Sequence, residues 1–182
     1  MCGFCKDCYF NKGVLWKNGS LSLVDAIYRL LYKGDLYFEK NAPVILQNGS
    51  WCAFNSQNTL FYKDFFVALY LPCYVSFRIT DIWRSFVAQV LLWSENKKLS
   101  FLPATVKQVR NQHDLIRDFE DEVVGYLENA KICTMLEAAS KHWHGKMTIA
   151  EKFYLAWSVL HKNKIINDQE LKVMDEWLAI VV

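Results

Sequence analysis

Hydrophobic and polar positions change their rhythm along this chain, and each change predicts an element. Residues 1 to about 22 show no clear period and predict irregular chain. A short mixed segment, VDAIYRLLYKG, follows from Val24. LYFEK and PVILQ then read as short strands, with Asn48-Gly49 as the turn into WCAFNSQ. NTLFYKDFFVALYLP predicts a strand end and then a short helix, stopped before Pro72 because a residue preceding proline disfavours the helical region. CYVSFRI, residues 73–79, carries β-branched and aromatic side chains and predicts a strand. The next element is the clearest. Ile82, Phe86 and Val90 recur at four-residue steps, and Trp83, Val87 and Leu91 run one residue behind them. Together they form a wide apolar helical face, with Thr80 as the expected N-cap and Asp81 in the first turn. SENKK ends that helix, and LSFLP predicts one more short strand.

From Asn111 onward the pattern is helical. HDLIRDFEDEVVGYLENA places Leu115, Phe119, Val123 and Leu127 at four-residue steps. Thr148 with Glu151 predicts a capping box, continued by FYLAWSVL, with His161 in a last turn where a cation suits the helix dipole. Asn167 with Glu170 repeats the box ahead of a stripe of Leu171, Met174, Leu178 and Val181. The fold class is therefore α/β, with short strands packed with helices and then a helical tail. Residues 1–23 form an irregular N-terminal segment, 24–130 the mixed region and 131–182 a helical C-terminal extension. Neither an internal repeat nor a low-complexity stretch interrupts the order.

Composition fits this picture. The 182 residues are 53% hydrophobic and 22% charged with a formal net charge of +2, which supplies a core and no strong field for nucleic acid. The most apolar stretch, FFVALYLPCYVSF, is too short to span a bilayer and is broken by Pro72, and MCGFCKDCYFNK lacks the pattern of a signal peptide. Asn18 and Asn48 begin N-x-S triplets, which also read as Asn-Gly turns. Cys2, Cys5 and Cys8 form C-x-x-C-x-x-C, but a tetrahedral zinc site wants a second pair that the chain does not contain, so a terminal segment with chance cysteines is the simpler reading. Cys52, Cys73 and Cys133 lie in apolar settings and read as small buried hydrophobes.

Candidate chemistry gathers in RITDIWRSF. A carboxylate in a first helical turn meets free N–H groups and a positive partial charge, which would keep Asp81 ionised. Such a carboxylate can take a proton from a hydroxyl or hydrogen-bond it. Trp83 offers a flat face on which a sugar ring can rest, and Arg84 a planar fork suited to phosphate. In the plain alternative Asp81 caps, Trp83 is core and Arg84 pairs with an acid. In a second cluster, Arg110, Asn111, His113 and Asp114, His113 with Asp114 or Asp118 could bind a divalent ion; the plainer reading is a capped, charged first turn on a solvated helix. Asn55, Gln57 and Asn58 put amides into a short turn, where they satisfy the turn or bind a polar ligand.

Taken in order, VDAIYRL, NAPVIL, AFNSQNTLF, LYLP, FRITDIWRSFVAQVLLW and RNQHDLIRDFEDE resemble the STELLO-like glycosyltransferase family over about residues 24 to 127. FRITDIWRSF is also similar, over a shorter run, to the acidic D-D-x-W motif of the reversibly glycosylated polypeptides, the UDP-arabinopyranose mutases. The resemblance implies the C-terminal, acceptor-side part of a GT-A-like fold over 24–130. It implies a nucleotide-sugar and a glycan acceptor as substrates, and Mn or Mg with the UDP-sugar in a full-length parent. It also implies a Golgi location and protein partners among glycan-synthesis enzymes. By position, Asp81 is the expected catalytic residue. Asn55, Gln57, Asn58, Trp83, Arg84, Arg110, Asn111, His113 and Asp114 are the expected substrate contacts. No D-x-D occurs in the chain; the acids Asp118, Glu120, Asp121 and Glu122 fall after the D-x-W helix. The expectation is a chain that is inactive alone, with no cofactor or metal ligand of its own. The alternative is a non-catalytic scaffold whose contact surface would carry Trp143, Trp157 and Trp177.

Overall fold

The helix that opens at Thr80 is the spine of the structure, a computed structural model that describes residues 42–103, 105 and 114–182. This helix, α1 (Thr80–Ser94), is buried along nearly its whole length from Ile82 to Leu91. Packed around it are a short 3₁₀ helix (Lys63–Leu69), α2 (Leu115–Ser140), α3 (Ile149–Lys162) and α4 (Asp168–Val181). Two short strands, β1 (Val44–Ile45) and β2 (Ser100–Phe101), pair antiparallel with Val44 opposite Phe101, and the Leu46 N–H extends the ladder to the Leu99 carbonyl at 2.9 Å. The described residues are thus mostly helical with one small sheet. Segments expected at VDAIYRLLYKG and LYFEK, and the three N-terminal cysteines, lie outside the described residues.

A single apolar cluster joins these elements. Phe86, Val87 and Leu91 of α1 meet Ile132 and Leu136 of α2, Phe153, Trp157 and Leu160 of α3, and Met174 of α4. Burying each of these large side chains is worth about 1.5–3 kcal/mol, so the C-terminal helices help hold α1 in place. Trp157 is fully buried, and Trp143 and Trp177 pack on the same cluster, with the Trp177 indole donating to the Val67 carbonyl at 3.0 Å. Trp157 is therefore core, and Trp143 and Trp177 are partly buried against it. The segment border drawn at residue 130 falls inside α2.

Turn and cap chemistry matches the sequence at several points. Gly49 sits at φ +84°, closing the Asn48-Gly49 turn in which the Ser50 N–H bonds the Gln47 carbonyl. Thr148 and Glu151 form the full capping box, and the backbone N–H of Thr148 lowers the Glu151 carboxyl below its ordinary value.

Other expectations give way. CYVSFRI is not a strand but a run of bends and turns. Its backbone donors are taken elsewhere: the N–H groups of Cys73 and Tyr74 donate to the Glu170 carboxylate at 3.0 and 2.6 Å, and Ile79 closes a turn on Ser76. β-propensity needs a partner strand to express it, and among the described residues none lies alongside. On α2, Val123 and Leu127 of the expected stripe are 36% and 65% exposed, while Ile132, Cys133 and Leu136 are buried. At 100° per residue, Leu127 and Leu136 point to opposite sides of the helix, so a row drawn at four-residue steps drifts off the core face. Cys133 is buried, and burial pushes its thiol up; Cys52 is buried but disulfide-bonded; Cys73 is exposed.

Candidate functional site

The start of α1 gathers several of the residues singled out in the sequence. The helix begins at Thr80, with Ile79 in the cap position and no side-chain cap bond; the Thr80 hydroxyl donates back to the Phe77 carbonyl at 3.1 Å. Thr80 is therefore not the N-cap. Asp81 lies half-buried in the first turn and accepts the backbone N–H of Ser56 at 3.3 Å. That bond brings the amide turn of residues 55–58 against the helix N-terminus. Within the turn, Asn55 donates to the Gln57 side chain, and the Thr59 hydroxyl donates to the Asn55 carbonyl at 2.9 Å. Asn58 stands at φ +51°, a left-handed position that asparagine tolerates, and its amide bonds Thr105 at 2.9 Å.

A polar stripe along α1 carries this arrangement. Arg84, Ser85 and Gln89 are all buried, at 2%, 0% and 0% exposure, inside an otherwise apolar helix. Gln89 grips Cys52 as a strand partner would: the Cys52 N–H donates to its amide oxygen at 2.9 Å and its amide nitrogen donates to the Cys52 carbonyl at 2.8 Å. Arg84 donates to the Ser56 hydroxyl at 3.1 Å, and its guanidinium lies 5.4 Å from the Phe54 ring centre and 5.1 Å from that of Phe61. Ser56, Gln89, Phe54 and Phe61 were not singled out in the sequence. The readable signal was the polar spacing 81, 84, 85, 89, which keeps to one side of a helix.

Electrostatics at Asp81 are mixed. Burial raises its carboxyl above the ordinary aspartate value, while the Ser56 N–H, the nearby Arg84 charge and the helix's own first N–H groups pull the other way. The outcome is a carboxylate more basic than a solvated one, beside amide groups of the kind that bind hydroxyls.

The other expected contacts fall elsewhere. Trp83 is 2% exposed and donates its indole N–H to Asn129 of α2 at 3.0 Å, so it presents no open face to a sugar. The Arg84 fork is buried under the amide turn, not offered to a phosphate. Asp114 caps α2, accepting the N–H groups of Ile116 and Arg117 at 3.0 and 3.2 Å, which is the plain reading of that cluster. Arg110, Asn111 and His113 lie outside the described residues.

Among the described residues, no three His, Cys, Asp or Glu side chains group as metal ligands. Asp118 pairs with Arg78, and Glu122 accepts from the Tyr126 hydroxyl at 2.7 Å. A recess of about 370 Å³ lies between α3 and α4, where Tyr74, His161 and Asp168 line it, and none of the residues around Asp81 takes part. Among the described residues, no helix is long and apolar enough to cross a membrane.

Comparison with known proteins bears out the family but places the match later in the chain than the motifs at 24–127, taking in the C-terminal helices and leaving out the motifs before residue 78. Residues 78–181, from the turn before α1 to the end of α4, match the family model described as STELLO glycosyltransferases. The curated protein "Probable glycosyltransferase STELLO2" of Arabidopsis thaliana is 34% identical over 89 residues. That match takes in 46% of this chain and 12% of the relative, so the chain spans only a small part of that protein's length. With more than half of its residues inside the family model, and α1 with its D-x-W-R opening at the model's start, this chain belongs to the STELLO glycosyltransferase family.

Proposed function

We propose that this chain forms the acceptor-side part of a nucleotide-sugar-dependent glycosyltransferase, with Asp81 as the carboxylate that orients or deprotonates the attacking sugar hydroxyl. The observation that carries the reading is the pairing of a half-buried, basic carboxylate with an amide turn from a distant stretch of chain. A solvated first-turn aspartate would need no such cover. Gln57 and Asn58, which are exposed, would hydrogen-bond neighbouring hydroxyls, since each amide can both donate and accept, while the buried Asn55 shapes the turn that presents them. The nucleotide-sugar, with Mn or Mg, would be held by a further part of a full-length protein in a GT-A-like arrangement, and Golgi glycan synthesis is the setting that the family suggests.

In a full-length protein carrying this segment, Asp81→Asn should abolish sugar transfer while donor binding and folding persist. Transfer by radiolabelled sugar, donor binding by calorimetry and circular dichroism check the three parts. A folded, donor-binding Asp81→Asn protein with undiminished transfer would remove Asp81 from the reaction.

A further inference from the structure

We propose that Arg84 is a positioning residue, which acts through Ser56 to hold Asp81 and the amide turn as one unit. The proposal deepens the reading of Asp81 given above and rests on it for its functional meaning.

Burial of a guanidinium at 2% exposure calls for an explanation, because well-packed apolar side chains in place of a buried ion are often neutral or stabilising. The guanidinium packs beside the Phe54 and Phe61 rings, which themselves lie 6.2 Å apart. What an apolar side chain cannot supply is the hydrogen bond to the Ser56 hydroxyl at 3.1 Å, on the residue whose N–H meets Asp81. The planar fork stacks against aromatic faces and keeps its donors in a rigid array, as a flexible ammonium could not.

The chain geometry gives this contact its purpose. Segment 52–56 and residues 81–89 of α1 lie antiparallel, with Cys52 on Gln89 and Ser56 on Arg84 and Asp81. Four residues of extended chain span about 13 Å. Eight residues of helix rise about 12 Å. The two runs therefore match in length, and anchors at both ends set the register. Gln89 sets the far end; Asp81, with Arg84 about one turn behind it on the same Ser56, sets the end that carries the amides. The charged side chain acting on Asp81 is Arg84 itself, alongside the N–H groups of Ser56, Asp81 and Ile82.

The test is a carboxyl titration of Asp81 by NMR in the isotope-labelled chain, with amide spectra, for wild type, Arg84→Met, Arg84→Lys and Ser56→Ala. Arg84→Met should raise the Asp81 midpoint and displace the Ser56 and Gln57 amide signals. Arg84→Lys should hold the midpoint nearer to wild type yet still displace those amides, because it restores charge without the fork. A folded Arg84→Met chain with the wild-type midpoint and wild-type Ser56 and Gln57 signals would overturn the proposal. Should Arg84→Met not fold, Ser56→Ala decides: a raised midpoint and a displaced Gln57 signal support it, and no change in either overturns it. Since the titration needs no sugar transfer, its failure is separate from a failure of Asp81→Asn to abolish activity.

Discussion

Asp81 and Glu170 both stand in the first turn of a helix, and their surroundings give them different work. Asp81 is raised above its ordinary value by burial, so its protonated form is the better accommodated in the fold. A carboxyl raised in the folded state contributes stability that is fully present below its unfolded value and is lost as pH rises through the folded value. Asp81→Asn removes that loss. Thermal melts from pH 3 to pH 7 should show the variant more stable than wild type at pH 7 and level with it near pH 3. A loss of about 1 kcal/mol at pH 7 would instead mark Asp81 as a cap. Glu170 is fully buried and receives the Tyr70 hydroxyl and the N–H groups of Cys73 and Tyr74; burial, and then Glu170, push the Tyr70 phenol well up. Glu170→Ala leaves those donors unsatisfied and should cost about 3 kcal/mol or more in urea unfolding, with Glu170→Gln milder. The sequence spacing showed Glu170 only as a capping-box glutamate. Half of that box forms, since Asn167 accepts the Glu170 N–H at 2.9 Å, but the carboxylate is drawn to groups about a hundred residues earlier, which local spacing cannot reveal.

Helices α1, α3 and α4 were legible in the sequence because local signals and burial agree in them. Their apolar stripes face the core, and Thr148 caps α3 as its spacing says. α2 was legible as a helix but not in its facing, because its first turns pack little and its core face begins near Gly125. There a Cβ would lie 2.9 Å from Cγ2 of Ile79, a β-branched side chain that is itself buried and cannot swing aside. Gly125→Ala gains about 1 kcal/mol of helix propensity. Overpacking against Ile79 costs about 1–3 kcal/mol. The variant should therefore be level with wild type or less stable by up to about 2 kcal/mol, and a chemical melt that shows clear stabilisation would mean that α2 and Ile79 lie farther apart than described. The strand expected at CYVSFRI failed for the converse reason: its propensity was real, but tertiary donors and acceptors claimed its backbone.

At the scale of the molecule, the described elements share one core, in which the C-terminal helices support α1 and, through its polar stripe, the turn at residues 55–58. Motif order in the sequence pointed to the family that the match over residues 78–181 shows, and it singled out Asp81 and the amide turn, which the fold brings together. The clamp of Arg84, Ser56 and Gln89 could not be chosen that way, since its meaning depends on which backbone lies against the helix. The central claim is that this clamped turn and Asp81 make a site for a hydroxyl-rich acceptor. The most direct test is an amide NMR titration of the labelled chain with short oligosaccharides, alongside a UDP-sugar with manganese. Saccharide should move the signals of Asn55, Ser56, Gln57 and Asp81 in a saturable way that Asp81→Asn suppresses, and the UDP-sugar should bind no tighter than the millimolar range. Saccharide that leaves those signals still, or a UDP-sugar bound at micromolar concentration, would contradict the account.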